Sequence, residues 1–161
     1  MQALVAAALL AGCGLQAGVD QQPAGGSTAT AAPAISGPTI SGGSLSWSAL
    51  RGHAVVVDFW ASWCGPCRAE QTGINKLAST YTSRGVVFIG VDMRDDASAA
   101  AAYRRDLGVQ YDSVADNAEQ ISAAYDVAAP PTIVVIDQRG VIVNRLLGTV
   151  VGLGDDLNRL A

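Results

Sequence analysis

Charge is scarce in this chain: 15% of its 161 residues are Asp, Glu, Lys or Arg, and the net charge is -4. No basic stripe runs along it, which argues against a nucleic-acid partner. The acidity is too mild to specify a cationic one. Histidine occurs once, at His53, and cysteine three times, at Cys13, Cys64 and Cys67. That set falls short of a four-ligand zinc site, since no second cysteine pair exists and His53 stands apart from the first. No metal or cofactor is therefore expected. No apolar run reaches the roughly 20 residues of a membrane-spanning helix, and there is no internal repeat. What is present is a chain that is 50% hydrophobic, enough for the core of one domain with a tail.

The N-terminus reads as an address. Residues 3–12 (ALVAAALLAG) are apolar but too short to span a bilayer, as in the central region of a signal peptide. They end in Leu10-Ala11-Gly12-Cys13, which resembles the bacterial lipobox, whose cysteine is lipidated and becomes the new N-terminus. No Lys or Arg precedes the apolar stretch, which leaves room for a start upstream. Residues 14–34 are rich in Gly, Ala, Gln, Ser, Thr and Pro. Without large side chains they bury too little surface to offset the entropy of ordering. The expected organisation is a signal peptide at 1–12, a lipid-anchor site and tether at 13–34, and a domain at 35–161.

Within the domain, Ile35 to Trp47 suggests a short hairpin, and Ser46 starts a brief helix closed by Arg51-Gly52. Ala54 to Trp60 (AVVVDFW) is nearly continuously apolar, as in a central strand buried on both faces. A helix follows Cys64, with Ile74, Leu77, Ala78 and Tyr81 on one face and Gly85 as its stop. Strands are expected at Val86–Val91, Thr132–Asp137 and Val141–Leu147, the last two joined by a tight turn at Gln138-Arg139-Gly140. Helices are expected at Ala97–Leu107 (with Asp95 or Asp96 at its start), Asn117–Tyr125 and Asp155–Leu160. This order implies an α/β fold: a mixed central sheet with helices on both faces and an N-terminal hairpin extension.

Trp63-Cys64-Gly65-Pro66-Cys67 follows a buried strand and opens a helix. Free N–H groups and the positive end of the helix dipole favour a thiolate at Cys64, and a lowered thiol pKa makes it a nucleophile near neutral pH. Gly65 and Pro66 permit the turn into the helix. Cys67, one turn on, is within bonding reach. A purely structural disulfide is a weaker reading, because so short a loop stabilises little. Asp58, inside an apolar strand, is costly unless protonated or hydrogen-bonded, and burial there raises its pKa toward neutrality.

These segments resemble the thioredoxin superfamily, in particular the TlpA/ResA-like extracytoplasmic thiol–disulfide oxidoreductases. The resemblance is carried by Leu50-Arg51-Gly52, VVVDFWASWCGPCRAE at 55–70, VFIGVDMRDD at 87–96, PPTIVVIDQRG at 130–140 and Gly148. It implies a thioredoxin-like fold over roughly residues 35–160. It implies that Pro131 is a cis-proline whose loop, with Thr132, lies against the cysteines and helps bind substrate. In that family the residue before the cis-proline pairs with substrate backbone; Pro130 has no N–H and offers only a carbonyl. The resemblance also implies that Asp58 assists proton transfer with Cys67, although many TlpA-like members have asparagine there. Glu70 matches a modulating glutamate of ResA-like proteins, or is a solvated helix residue. Trp60 and Trp63 are expected to flank the pair, one packing and one shielding.

The expected function is reduction of disulfides in exported proteins, with Cys64 as attacking thiol, Cys67 as resolving thiol and Asp58 as proton acceptor. Gly65-Pro66 between the cysteines, as in reducing thioredoxins, favours this direction, and Glu70 offsets the one adjacent cation, Arg68. Cytochrome c maturation is one setting expected for it. The partners expected are disulfide-containing exported proteins, a membrane thiol electron donor and the membrane itself through Cys13, with the protein a monomer. Two alternatives stay open: a disulfide-forming oxidase using the same site, and a non-catalytic tethered binding or chaperone-like lipoprotein.

Overall fold

The computed structural model describes residues 30–161. Its element order is β1 (Gly37–Pro38), β2 (Ser44–Leu45), a 3-10 turn at Trp47–Leu50, β3 (Ala54–Trp60), α1 (Gly65–Thr82), β4 (Val86–Met93), α2 (Ala97–Asp106), β5 (Ser113–Asp116), α3 (Gln120–Ala124), β6 (Thr132–Ile136), β7 (Ile142–Leu147) and α4 (Leu153–Leu160). β1 and β2 form the expected hairpin. The other strands form one sheet in the order β5-β4-β3-β6-β7. β3, β4 and β5 are parallel, and β6 and β7 are antiparallel additions. This is the mixed α/β architecture expected, with one strand more.

The β3 sequence has no polar alternation because both its faces are covered. Val55, Val57 and Phe59 join Ile89, Val91, Met93, Val134 and Tyr125 on one side. Ala54 and Val56 join Ile74, Ala78, Phe88, Ile133, Leu153 and Leu157, under α1 and α4, on the other. All seven β3 residues are buried. Each large side chain contributes roughly 1.5–3 kcal/mol relative to exposure, before entropy is set against it.

Among the described residues the short α3 is the one α-helix contributing to the cluster on the face opposite α1, and the N-terminal extension completes it. Ile35 is fully buried there, and Tyr125 donates to the carbonyl of Pro33 at 2.6 Å. Ala31 bridges Val141 at the β7 edge, with Ala32 N–H on the Gly140 carbonyl at 2.8 Å. Packed structure thus starts ahead of the Ile35 expected from composition, because main-chain pairing at an open sheet edge needs no large side chains. The remaining differences are local. β5 fell in a stretch where no strand was expected, α3 is shorter than Asn117–Tyr125, and α4 starts at Leu153. The proposed signal peptide and most of the proposed tether lie outside the described residues. Among the described residues no helix is long and apolar enough to cross a membrane.

Candidate active site

β3 delivers the chain to the Cys64 end of the sheet, and α1 starts there. Cys64 is the N-cap of α1, with Pro66 in the first turn. The N–H of Cys67 donates to Cys64 Sγ at 3.1 Å, so a helix-end donor points at the sulfur, as the motif requires. Cys64 and Cys67 are joined in a disulfide, with Cα atoms 5.3 Å apart. Both are largely buried, in a cluster with Trp60, Ala61, Ala100 and Tyr103. Trp60 stacks on Tyr103 with centroids 4.4 Å apart. Its indole N–H crosses over Gly90 to Ser113 Oγ at 3.2 Å. A Cβ on Gly90 would lie 2.1 Å from that oxygen, so the indole's position depends on glycine there.

Asp58 lies on β3 between β4 and β6, opposite Gly90 and Ile133, so it is central and only 2% exposed. Tyr111 Oη donates to Asp58 Oδ2 at 2.6 Å. Burial pushes Asp58 up to about 6; the Tyr111 hydrogen bond opposes this, and the nearby Glu70 carboxylate adds to it. Behind Tyr111 stands Gln71 of α1, whose Nε2 donates to Tyr111 Oη at 2.9 Å. Tyr103 Oη donates to Gln71 Oε1 at 3.1 Å. Burial lifts both Tyr103 and Tyr111 well above an ordinary tyrosine, so both remain hydroxyls.

A second segment, 92–96, grips the loop before Cys64. Asp95 accepts from Ser62 N–H at 2.5 Å and from Ser62 Oγ at 2.7 Å. Trp63, 55% exposed, donates its indole N–H to the Arg94 carbonyl at 3.1 Å, with the Arg94 guanidinium 5.7 Å over its ring. Asp96 caps α2 through Ser98 and Ala99 N–H. Asp92 pairs with Trp60 across the sheet and is 1% exposed. Its Oδ1 has no hydrogen-bond partner among the described residues. Burial, then the charge of Asp95 and a hydrogen bond to it, push Asp92 up to about 8.

The Pro130–Pro131 peptide bond is cis. Thr132 Oγ1 donates to the Ala129 carbonyl at 2.9 Å, and Gly148 N–H to the Pro131 carbonyl at 2.9 Å. Because Thr132 pairs with Phe59, this loop sits at the end of the sheet where β3 delivers Cys64. Glu70, half-buried on α1, has its carboxyl raised by burial, opposed by a hydrogen bond from Val150 N–H. Its Oε2 has no partner among the described residues. Leu147 and Val151, on either side of Gly148, are largely exposed. Trp60 is packed inside and Trp63 faces outward. Cys13 lies outside the described residues.

Sequence reading missed Tyr111, Gln71, Tyr103, Gly90, Asp92 and Asp95. Gln71 had a discoverable sign: it occupies a buried-face position of α1 with Cys67, Ile74, Ala78 and Tyr81. A lone amide on such a face needs a polar partner. Tyr111 had none, since it precedes the four-residue β5.

Comparison with known proteins follows the same lines. The AhpC/TSA family profile matches residues 28–145. The thiol-disulfide oxidoreductase ResA of Bacillus subtilis is 31% identical over 102 residues, 63% of this chain and 57% of its own length. A thiol:disulfide interchange protein DsbE homolog of Paracoccus denitrificans is 34% identical over 97 residues, 60% of this chain and 51% of its own. The chain thus spans somewhat more than half the length of these curated relatives. A thiol:disulfide interchange protein of the thioredoxin family from Chlorobium tepidum superposes with a TM-score of 0.77 at 26% identity, over 84% of this chain and 99% of that one. With the profile spanning most of the described domain and the site standing at the end of a thioredoxin-like sheet, the chain belongs to the AhpC/TSA family, as a thioredoxin-fold protein similar to ResA and DsbE.

Proposed function

We propose that the chain is a thiol–disulfide oxidoreductase that reduces disulfides of exported proteins. The observation that carries this is a Cys64–Cys67 disulfide at the start of α1, where a helix-end N–H meets Cys64 Sγ at 3.1 Å. In the reduced protein that N–H and the helix dipole stabilise a Cys64 thiolate. The thiolate attacks a substrate disulfide, forming a Cys64–substrate bond and releasing one substrate thiolate, which takes a proton from water. Cys67 passes its proton to the Asp58 carboxylate and attacks Cys64 Sγ. The second substrate thiolate leaves, and Cys64–Cys67 is oxidised. Two electrons have moved to the substrate, and a membrane thiol donor must restore them.

Exposed Trp63, Gly65 and Pro66 on one side and Pro130, Pro131 and Thr132 on the other form the substrate surface in this reading, and Glu70 modulates the pair. Pro130 contributes a carbonyl only, so substrate is held by one main-chain bond there. Lipidation at Cys13 would anchor the protein at the outer side of the bacterial membrane; a single acyl chain gives only marginal binding, so more than one is required. Apocytochrome c is one exported substrate within this reading.

The test is a Cys67→Ser variant expressed in the native host. It should accumulate mixed disulfides through Cys64, and their partners should be exported proteins. Absence of any adduct, with Cys64→Ser behaving identically, would overturn the reading. Mass spectrometry of the membrane-extracted protein should show an acylated Cys13 at the mature N-terminus; a soluble product retaining Met1 would refute the anchor.

A further inference from the structure

Asp58 is buried without a salt-bridge partner among the described residues. A carboxylate so placed is useful as a proton acceptor only if something neutral holds it ionised and aimed. We propose that Tyr111, fixed in direction by Gln71, Asn75 and Tyr103, is the positioning residue that keeps Asp58 ready to take the Cys67 proton. This rests on the thiol–disulfide reading above.

The direction of the hydrogen bonds follows from one backbone group. The Leu107 carbonyl can only accept, and it receives Asn75 Nδ2 at 2.8 Å. Asn75 must therefore present Oδ1 to Gln71, which answers with Nε2 at 2.9 Å. That fixes the Gln71 amide: Nε2 also faces Tyr111 Oη at 2.9 Å, and Oε1 is left to accept from Tyr103 at 3.1 Å. With Gln71 donating to it, the Tyr111 hydroxyl has one hydrogen, and its remaining partner is Asp58 Oδ2 at 2.6 Å. Every donor in the chain from Tyr103 onward points toward the carboxyl. Tyr111 thus orients Asp58 rather than relaying its proton, and Oδ1 is the oxygen left to receive the thiol hydrogen.

The groups facing Asp58 are Glu70 and Gln71 on α1, Tyr103 on α2, which also carries the Arg68 guanidinium 5.1 Å over its ring, and Tyr111 ahead of β5. Burial and Glu70 raise the Asp58 carboxyl, and Tyr111 is the group that holds it down. Removing the hydroxyl therefore moves it upward and leaves less carboxylate at neutral pH.

Tyr111→Phe tests this while keeping the ring packed on Phe88, 6.2 Å away between centroids. Infrared titration of the Asp58 carboxyl, assigned by difference from Asp58→Asn, should show its midpoint rising by about one unit. Resolution of a glutathione mixed disulfide on Cys64 should then slow about tenfold below that midpoint and not at all well above it. Gln71→Leu frees the Tyr111 hydroxyl to turn away and should move the midpoint in the same direction by less. In an Asp58→Asn background neither substitution should change the resolution rate. An unmoved Asp58 midpoint in Tyr111→Phe, or in Gln71→Leu should the first variant not fold, overturns the proposal. A midpoint that moves in a protein whose wild type resolves no mixed disulfide would support the Tyr111 placement and sink the oxidoreductase reading instead.

Discussion

Asp92 offers the sharpest test of the electrostatics around the cysteine loop. Its carboxyl is buried beside Trp60 and shares a hydrogen bond with Asp95, and its pKa is raised from 3.8 to about 8. In the unfolded chain an aspartate ionises near 4. Between those limits the folded protein keeps a proton that the unfolded chain has lost, so stability falls as pH rises from about 4 to about 8 and levels off above. At ~1.4 kcal/mol per unit the ceiling is on the order of 5 kcal/mol; relaxation of the 92–96 loop and entry of water should leave about 1–3 kcal/mol in practice. Asp58 contributes with the same sign up to about pH 6, so the quantity to measure is a difference. Urea unfolding of the oxidised protein and of Asp92→Asn at about pH 5, 7 and 9 isolates it. Asp92→Asn should be close to wild type at pH 5 and more stable by about 1–3 kcal/mol at pH 9. A difference that does not change with pH, or a variant that is weaker at pH 9, would refute the reasoning.

Gly90→Ala should cost about 1–3 kcal/mol by thermal unfolding and perturb Trp60 fluorescence, because the new methyl meets Ser113 Oγ at 2.1 Å; adding Ser113→Gly should restore part of the loss. On reduction, iodoacetamide should label Cys64 before Cys67, read by peptide mapping, since a helix-end N–H faces Cys64 Sγ; preferential labelling of Cys67 would reverse the assigned roles. Equilibration with glutathione should place the Cys64–Cys67 pair near the roughly -270 mV of thioredoxin rather than the roughly -120 mV of DsbA. A value at the oxidising end would make the protein a disulfide donor. Tyr125→Phe should lose about 1 kcal/mol through its bond to the Pro33 carbonyl, measured by urea unfolding.

The sheet and its main helices were legible because burial on both faces leaves a plain mark: Ala54–Trp60 and Val86–Val91 are nearly continuously apolar, and α1 repeats its core positions at helical spacing. The Cys64–Cys67 placement was legible because its chemistry is local in sequence. Asp58 stood out as a charge among apolar neighbours. What surrounds Asp58 was not legible. Tyr111 is 53 residues away and reaches it only through the placement of β5, whose four residues carry no period. Asp95 and Asp96 were equal candidates for the start of α2; the cap is Asp96, and Asp95 turns back to Ser62. Side chains committed to a distant loop look locally like ordinary polar punctuation. The early start of packing was hidden for a similar reason, as Thr30–Ala32 is held through its backbone.

That backbone attachment fixes where a leash would pull. Thr30 and Ala32 are tied to the Gly140–Ile142 end of β7, while Leu147, at its other end, pairs with Thr132 near the cysteines. The chemistry therefore sits a strand length, about 17 Å at ~3.3 Å per residue, from the attachment. If Cys13 carries the lipid, the peptide from there to Thr30 reaches at most about 60 Å in any conformation. The domain would then patrol a shallow layer over the bilayer, swinging about the pole that lacks the cysteines. A thiol donor in the same membrane would meet Cys64 at the millimolar effective concentration of a short linkage, whereas a freely diffusing substrate would gain nothing from it. Lengthening that peptide should slow re-reduction while leaving substrate turnover in solution unchanged.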